Sequence, residues 1–360
     1  MTPFPWSTGR TSARCFGSWP SRHSLPCGAK RTLACLASQP EQIPQVASFS
    51  RSAKAELLRR FFIVSRRIPL KRRPGKRYHG LLPAWAVSAA EKPREQEPTL
   101  AEFAHLHLHT EYSLLDGMGR SKEYAARAQD LGIKHIAVTD HGVMYGAMEW
   151  YKTASAAGIH PIVGVEAYLA EGSARARERK SYHLLLLAEN ETGYRNLLKL
   201  STRAQLEGYY YRPRIDLEML GELGQGIVAT SACLGGPVAN NFLHGRPELA
   251  RDYAVKLKEI FGPERFYIEL QDHGIKEQLQ VNGDLIALAR DLDLPLVATN
   301  DVHYCNQEDA SAQDLLVCIQ TNATLNDTRR LKTESDQLFL KSGEQMARLF
   351  DGVPEAISNT

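Results

Sequence analysis

The stretch AHLHLHT at residues 104–110 decides the fold. Leucines and histidines alternate along it, so in a strand the two residue types lie on opposite faces. Side chains two apart in an extended strand point the same way, about 6.6 Å apart at roughly 3.3 Å per residue. His107 and His109 can therefore bind a single metal ion. Asp301 and His303 repeat this spacing near the end of the chain. These residue types predict a metal centre at the ends of strands.

Other candidate metal ligands follow apolar runs elsewhere in the chain. Any one of them alone would also fit an ordinary strand end or a helix cap. Their coincidence at several strand ends favours a multinuclear metal centre, because the active sites of α/β barrels assemble where the parallel strands end. The motifs are TDH at 139–141, VEAY at 165–168, SYHL at 181–184 and SAC at 231–233.

From about residue 101 onward, short apolar runs alternate with amphipathic stretches in seven strand and helix units. Such units predict parallel strands covered by helices, and about 260 residues suffice for one closed α/β barrel. An open doubly wound sheet is the alternative, but no glycine-rich phosphate motif such as GxGxxG follows the first strand. We therefore expect a TIM-like (βα)7 barrel.

Residues 1–90 differ from the rest of the chain in charge. They contain 16 Lys and Arg residues against only Glu41 and Glu56, whereas the remainder contains 28 basic and 39 acidic residues. The net charge of +3 therefore combines +14 in the first part with −11 in the second. This stretch is rich in Arg, Ser and Pro and lacks a long periodic apolar segment. We exclude residues 1–99 from the fold and expect them to be disordered.

Three explanations of this basic stretch remain open: an organelle transit peptide, a nucleic-acid-binding arm, or translated sequence upstream of the true start. The abrupt beginning of the folded pattern near Leu100 favours the third. No run approaches the roughly 20 apolar residues of a membrane-spanning helix. Cys233, Cys305 and Cys318 do not suggest a disulfide framework, which fits a reducing cytoplasm.

Several longer segments together resemble one family. The chain over residues 100–360 is similar to the N-terminal PHP (polymerase and histidinol phosphatase) domain of the bacterial DNA polymerase III alpha subunit. The HxH element occurs in many PHP proteins, whereas TEYSLLDG, YYYRPRID and YCNQEDA resemble the replicative polymerase in particular. By this resemblance, residues 100–333 are the PHP metal-binding barrel. Residues 334–360 would begin a linker toward the polymerase palm and thumb.

The resemblance implies a distorted seven-stranded barrel that binds up to three metal ions through nine ligands. Asp140 would support the ligands without binding metal, because it points to the other face of its strand. The implied ligand sets are His107, His109, Glu166 and Asp301 for the first ion, Glu166, His183 and Cys233 for the second, and Asp116, His141 and His303 for the third.

The ligand types leave the identity of the metal open. Imidazole suits zinc and iron, carboxylate suits manganese, and the single thiolate favours zinc or iron. A carboxylate that bridges two ions is typical of the two-metal hydrolysis of phosphoesters. The resemblance therefore implies a phosphoesterase in which His107, His109, Glu166 and Asp301 act through bound metal. With a primer terminus as substrate, the activity would be that of a proofreading 3′-to-5′ exonuclease.

The segment YYYRPR at residues 209–214 is the candidate DNA contact. Tyr210 could stack on a base, while Arg212 and Arg214 could bind backbone phosphates. The alternative is a proline-bounded loop that packs its tyrosines on the barrel.

Three functions remain open: a metal-dependent proofreading nuclease, a structural PHP module whose metals serve only the fold, and a free-standing small-molecule phosphatase. The complete ligand set favours the first. The resemblance implies that the parent protein is a cytoplasmic DNA-directed DNA polymerase, a nucleotidyltransferase whose polymerase active site lies beyond this fragment. Its partners would be the DNA primer terminus, the sliding clamp and the other holoenzyme subunits.

Overall fold

A computed structural model describes residues 102–332 and 334–360. The basic segment at residues 1–99, with its predicted disorder, lies outside the described residues. The strands in the described part are β1 (His135–Val138), β2 (His160–Ala170), β3 (Ser181–Ala188), β4 (Arg214–Ile215), β5 (Ile227–Thr230), β6 (Phe266–Leu270) and β7 (Leu296–Ala298).

Ten α-helices accompany these strands in the described ranges. None of these helices is long and apolar enough to cross a membrane. The helices are α1 (Ser121–Asp130), α2 (Ala147–Ala156), α3 (Glu191–Leu206), α4 (Leu217–Leu223), α5 (Pro237–Leu243), α6 (Pro247–Phe261), α7 (Lys276–Asp291), α8 (Ala310–Thr321), α9 (Gly343–Leu349) and α10 (Pro354–Ser358).

The seven strands form one sheet in the order β1, β2, β3, β5, β6, β7, and β4 pairs with the end of β2. The predicted α/β fold is confirmed. The expectation of parallel strands throughout is wrong at one position, because β3 runs antiparallel to both β2 and β5. Only residues 171–180 join β2 to β3, whereas a parallel crossover needs about a dozen residues or more.

The stretch at residues 104–110 joins the two edges of this sheet. His105 forms a parallel bridge to β1, and Leu108 forms one to Val302, which follows β7. The backbone N–H of His109 also donates to the Val302 carbonyl oxygen at 2.7 Å. We call this stretch the closing strand, because it links the first and last strands into a barrel.

Two large apolar cores hold the barrel together, and a third, small cluster surrounds Tyr304. The larger one lies between the sheet and the helices α3, α6 and α7, and α6 faces it with Ala250, Ala254 and Leu257, which recur at helical spacing. The smaller of the two large cores surrounds the fully buried Trp150, whose indole N–H donates to the Ile136 carbonyl. Because both cores pack against strands, they fix the strand ends in space.

Residues 334–360, the predicted start of a linker, pack against the barrel. Phe339 forms a bridge to Tyr304, and the side-chain amide of Asn359 donates to the β7 carbonyl of Leu296 at 2.8 Å. The buried Lys341 ammonium donates to Asn300 Oδ1 at 2.9 Å. This segment therefore supports the chain that follows β7.

Candidate metal centre

The nine predicted ligands meet at one end of the barrel. Seven of them belong to the closing strand, follow the strands β1, β5 and β7, or lie in β2. His183 reaches the same end from the beginning of β3, because that strand runs in the opposite direction. The ligand positions are His107 and His109 in the closing strand, Asp116 in the next loop, His141 after β1, Glu166 in β2, His183 in β3, Cys233 after β5, and Asp301 and His303 after β7.

The innermost group consists of His107, His109, Glu166 and Asp301. His107 Nε2 lies 3.3 Å from both Glu166 Oε1 and Asp301 Oδ1. His109 Nε2 lies 3.1 Å from the same Asp301 oxygen and 3.5 Å from Glu166 Oε2. These four side chains, the implied ligands of the first ion, therefore converge on one point.

Glu166 also faces a second group. Its Oε1 atom lies 2.9 Å from His183 Nδ1 and 3.6 Å from Cys233 Sγ, and these two atoms are 3.5 Å from each other. One carboxylate oxygen thus contacts both the first and the second group. A carboxylate in this position can bridge two metal ions.

The third group is looser. Asp116 lies 3.0 Å from His141 Nε2 through one oxygen and 3.8 Å from His303 Nε2 through the other. The second nitrogen of His141, Nδ1, lies 2.6 Å from Glu166 Oε2. His141 therefore contacts ligands of two groups, and its imidazole can serve either of two neighbouring ions.

Five buried polar atoms at the centre of the site have no partner with hydrogen-bond geometry among residues 102–332 and 334–360. Buried polar atoms are ordinarily hydrogen-bonded, and leaving one unpaired costs about 1–3 kcal/mol. A cation held among these lone pairs would satisfy them together. The residues present therefore fit divalent metal ions with nitrogen, oxygen and sulfur donors. The five atoms are His107 Nε2, His109 Nε2, His141 Nδ1, Glu166 Oε2 and Asp301 Oδ1.

The carboxylates of the site are held in their charged form. Burial disfavours the charge on Glu166, but His183 and His141 outweigh burial and hold its pKa well below the ordinary value. Burial likewise opposes the charge on Asp301, and neighbouring imidazoles hold its pKa well below the usual range. For Asp116, a hydrogen bond from His141 overcomes burial and lowers the pKa to about 2. The site therefore offers anionic ligands.

The other ligand types differ in protonation. Burial opposes the charge on His107, but nearby carboxylates, Asp301 foremost, raise its pKa well above the usual value. Burial and the charge of His141 lower the pKa of His109 to about 3. Burial raises the pKa of the Cys233 thiol. His109 is therefore neutral and ready to donate a lone pair, whereas His107 and Cys233 must release protons to bind metal.

Glu269 on β6 is a candidate functional residue that sequence reasoning missed. Its Oε1 atom lies 2.8 Å from His107 Nδ1 and accepts hydrogen bonds from Thr299 Oγ1 at 2.5 Å and Gln271 Nε2 at 2.9 Å. The hydroxyl of Thr230 donates to its other oxygen. A buried carboxylate behind a ligating histidine fixes the orientation of the ring. The available signal was an acid inside the apolar run FYIEL.

Asp140 lies behind the closing strand. Its Oδ1 atom accepts hydrogen bonds from the Thr110 backbone N–H at 2.7 Å and from the Ser113 hydroxyl at 2.8 Å. Ser113 Oγ in turn lies 3.0 Å from His109 Nδ1. Asp140 is thus connected to a predicted ligand through one hydroxyl group.

Arg214, one of the predicted DNA contacts, is buried. It is 1% exposed, because β4 pairs with β2 and its side chain is enclosed there. The guanidinium donates to the carbonyl oxygens of Gly208 at 3.1 Å, Ala174 at 2.8 Å and Ala176 at 2.7 Å, and to that of Glu178. Arg214 therefore ties residues 174–178 to the segment around β4.

We expect Arg214→Met to lower the free energy of unfolding by about 3 kcal/mol, because it leaves several buried carbonyl groups unpaired. For a domain of this size, the thermal midpoint would fall by roughly 6–12 °C. Thermal unfolding followed by circular dichroism measures the change, with the exposed Arg179→Met as the matched control. Equal midpoints for the two variants would contradict the anchoring role.

The other two predicted DNA contacts lie on a tight turn. Tyr210 and Arg212 form a backbone bridge across Tyr211, which has a left-handed φ of 63°. Tyr210 is half-buried, whereas Arg212 is exposed. The Arg212 guanidinium lies over the ring of Tyr168, 4.6 Å from its centroid.

The chain is similar in sequence to known proteins. A family profile described as PHP domain matches residues 105–273. DNA polymerase III subunit alpha of Borreliella burgdorferi is 48% identical over 265 residues, covering 72% of this chain and 23% of the relative. The Treponema pallidum subunit is 46% identical over 263 residues, covering 72% of this chain and 22% of the relative. The chain therefore spans less than a quarter of the length of these curated relatives.

Two solved structures align with part of the chain at low identity and low TM-score. An amidohydrolase from Chromobacterium violaceum is 17% identical with a TM-score of 0.40, covering 56% of this chain and 87% of that chain. A Bacteroides vulgatus two-domain protein containing a predicted PHP-like metal-dependent phosphoesterase is 16% identical with a TM-score of 0.37, covering 60% of this chain and 57% of that one. The family profile and the polymerase relatives identify residues 105–273 of this chain as a PHP domain, similar to the corresponding region of DNA polymerase III alpha subunits.

Proposed function

We propose that the site is a metal-dependent phosphoesterase that removes nucleotides from the 3′ end of a DNA strand. The observation that carries this proposal is the convergence of five buried ligand atoms that lack a partner with hydrogen-bond geometry among the described residues. They lie at and around Glu166, which contacts ligands of both the first and the second group. Up to three ions, of zinc, manganese or iron, would be held by the three ligand sets. When bound, such ions stabilise charge on a phosphoryl oxygen and lower the pKa of water.

The site has a buried end, which we call the floor, and a partly exposed end. His107, His109 and Glu166 are at most 1% exposed, whereas the side chains of Asp116 and His183 are 24% and 22% exposed. A phosphoester would therefore enter between the loop of Asp116 and the start of β3. The floor would keep its ligands in place, because Glu269 and Ser113 hydrogen-bond to the imidazoles from behind.

The relatives support a role of the proposed nuclease in DNA replication. Because they are DNA polymerase III alpha subunits at up to 48% identity, we infer that the chain is part of a bacterial replicative polymerase, a nucleotidyltransferase of the cytoplasm. A primer terminus would be the substrate, and the sliding clamp and other holoenzyme subunits would be the partners. This supports proofreading over hydrolysis of a small free phosphomonoester.

A second candidate function is a structural metal centre without nuclease activity. The burial of the inner ligands favours it, because structural metal sites are closed while catalytic sites keep an open position. Residues 334–360, which pack against the chain after β7, would then be held by the same metals that hold Asp301.

Hydrolysis of a primer with a 3′-terminal label and a terminal mismatch separates the two functions. The full chain would be assayed with its bound metals quantified by mass spectrometry, beside His107→Ala and Asp301→Ala. We expect metal-dependent release of 3′ nucleotides that both substitutions abolish. Bound metal without any cleavage of the primer would support the structural centre.

Removing the metals with a chelator should destabilise the protein as well as stop hydrolysis. A ligand that binds only the folded state stabilises it by about 2.7 kcal/mol at a concentration of 100 times Kd. We therefore expect the thermal midpoint to fall on chelation and to recover when zinc, manganese or iron is added back. Differential scanning fluorimetry measures both steps. An unchanged midpoint together with unchanged hydrolysis would contradict a bound metal centre.

A further inference from the structure

Arg212 carries an exposed positive charge beside the metal centre. Arg175, Arg203, Arg251 and Arg330 each pair with a carboxylate. By contrast, no carboxylate of residues 102–332 and 334–360 lies within ion-pair distance of Arg212. A guanidinium left free in this way retains its N–H donors for an external anion.

The side chain of Arg212 stacks on Tyr168, whose aromatic ring lines the site. Tyr168 lies two residues after Glu166 on β2 and so points to the same face. Its ring lies 6.0 Å from the ring of His141, nearly parallel at 17°, and 5.5 Å from that of His183. Since the Arg212 guanidinium covers the ring of Tyr168 at 4.6 Å, only one aromatic ring separates it from two candidate ligands.

The turn that carries Arg212 is fixed before any ligand binds. The Tyr210 to Arg212 bridge closes it on one side, and Arg214 anchors its base to several carbonyl groups. Pro213 packs against Gly142, where an added Cβ would lie 2.9 Å from the proline Cγ. A preorganised guanidinium loses little conformational freedom on binding, which favours affinity.

We propose that Arg212 binds a backbone phosphate of the substrate strand, one next to the phosphoester that is hydrolysed. This rests on the proposed function. The planar guanidinium matches the geometry of a phosphate group, and stacking on Tyr168 leaves its N–H edge free. Because Tyr168 separates it from the ligands, Arg212 contacts a second phosphate rather than the reacting one. Arg212 thereby selects nucleic acid strands over compounds that contain a single phosphate.

Activity on two substrates tests this selection in the full chain. The substrates are a 3′-labelled single-stranded tetranucleotide and bis(p-nitrophenyl) phosphate, a diester without a second phosphate. A charge-assisted hydrogen bond contributes about 1.5–3 kcal/mol, so Arg212→Ala should lower kcat/KM for the tetranucleotide about ten- to hundredfold, mainly through KM. The kcat/KM of this variant for the small diester should fall much less. Arg212→Lys should restore part of the loss, because it keeps the charge without the planar fork.

Arg179→Ala is the matched control. Arg179 is also exposed and also stacks on a tyrosine, 3.9 Å from the centroid of Tyr211, but that ring does not contact the ligands. We expect this variant to cleave both substrates at the wild-type rate. Equal behaviour of the Arg212→Ala and Arg179→Ala variants would overturn the proposal, and so would an equal loss on both substrates in Arg212→Ala.

Binding of the tetranucleotide by fluorescence anisotropy, with the metals chelated, separates this proposal from the proposed activity. The basic residues 1–90 contribute equally to all variants, and about 200 mM salt weakens that contribution. A tenfold weaker binding by Arg212→Ala would support the phosphate contact even if the wild type hydrolysed neither substrate. Failure of the wild type to bind the tetranucleotide would overturn it.

Discussion

Glu166→Gln is expected to abolish phosphoester hydrolysis while the metal-free protein stays folded. Glu166 contacts His107, His109, His141 and His183, so both inner ligand groups lose their shared anion in this variant. An amide nitrogen cannot replace the second carboxylate oxygen as a ligand. We expect the rate to fall by at least about a thousandfold, as when a principal electrostatic group is removed from an active site.

The metal-free state should tolerate this change. Without metal, the raised pKa values of His107 and His141 favour protonated imidazoles, whose positive charges compensate the buried Glu166 charge. A neutral amide at position 166 removes the need for that compensation. The wild type should lose thermal stability on chelation, whereas the variant should show almost the same midpoint with and without chelator. Glu189→Gln, an exposed change just after β3, is the matched control. Full metal content and full activity in Glu166→Gln would refute the bridging role.

Glu269→Gln should weaken metal binding without removing any ligand. Glu269 accepts hydrogen bonds from Thr230, Thr299 and Gln271 and holds the Nδ1 side of His107, and an amide cannot accept all of these bonds. The His107 ring would lose its fixed orientation. Substitutions behind a metal ligand cost about 10- to 100-fold in metal affinity, and we expect a loss of that size.

Metal titration against a chromogenic chelator measures this affinity, and hydrolysis measured at increasing metal concentration gives the second test. A role in positioning His107 predicts that saturating metal restores most of the rate. Damage to the fold would leave the rate low at every metal concentration. Glu259→Gln, on the exposed side of α6, is the control. Wild-type affinity in Glu269→Gln would mean that His107 does not depend on this carboxylate.

The histidines of the closing strand could be predicted from sequence because the two-residue period of a strand is local. The same two-residue period does not describe the backbone from Asp301 to His303. Asp301 has a left-handed φ of 46°, so the chain there is not extended. Asp301 Oδ1 lies 3.3 Å from His107 Nε2 and 3.7 Å from His303 Nδ1, while His303 Nε2 lies 3.8 Å from Asp116. A strained backbone of this kind depends on tertiary contacts, such as those of the Asn300 side chain with residues 337–339, that a local pattern does not contain.

Arg212 and Arg214 show a second limit of the sequence. The two arginines lie two residues apart and have the same chemistry, yet one is exposed beside the site and the other is buried. The difference arises because β4 pairs with β2, a contact between distant parts of the chain. Glu269 was missed for a similar reason, since its partner His107 is 162 residues away. Residue types indicated the chemistry, but burial and pairing decided which residues perform it.

The closing strand also determines when the centre can assemble. His107 and His109 leave the ribosome early, yet their backbone positions depend on hydrogen bonds to Val302, near the other end of the described chain. Contacts between such distant residues form late, because the chain between them must be ordered first. In a nascent chain that ends before β7, both histidines would thus be present, but their side chains would not yet be oriented toward a common metal ion. Stoichiometric metal would therefore be acquired only by molecules that have completed the barrel.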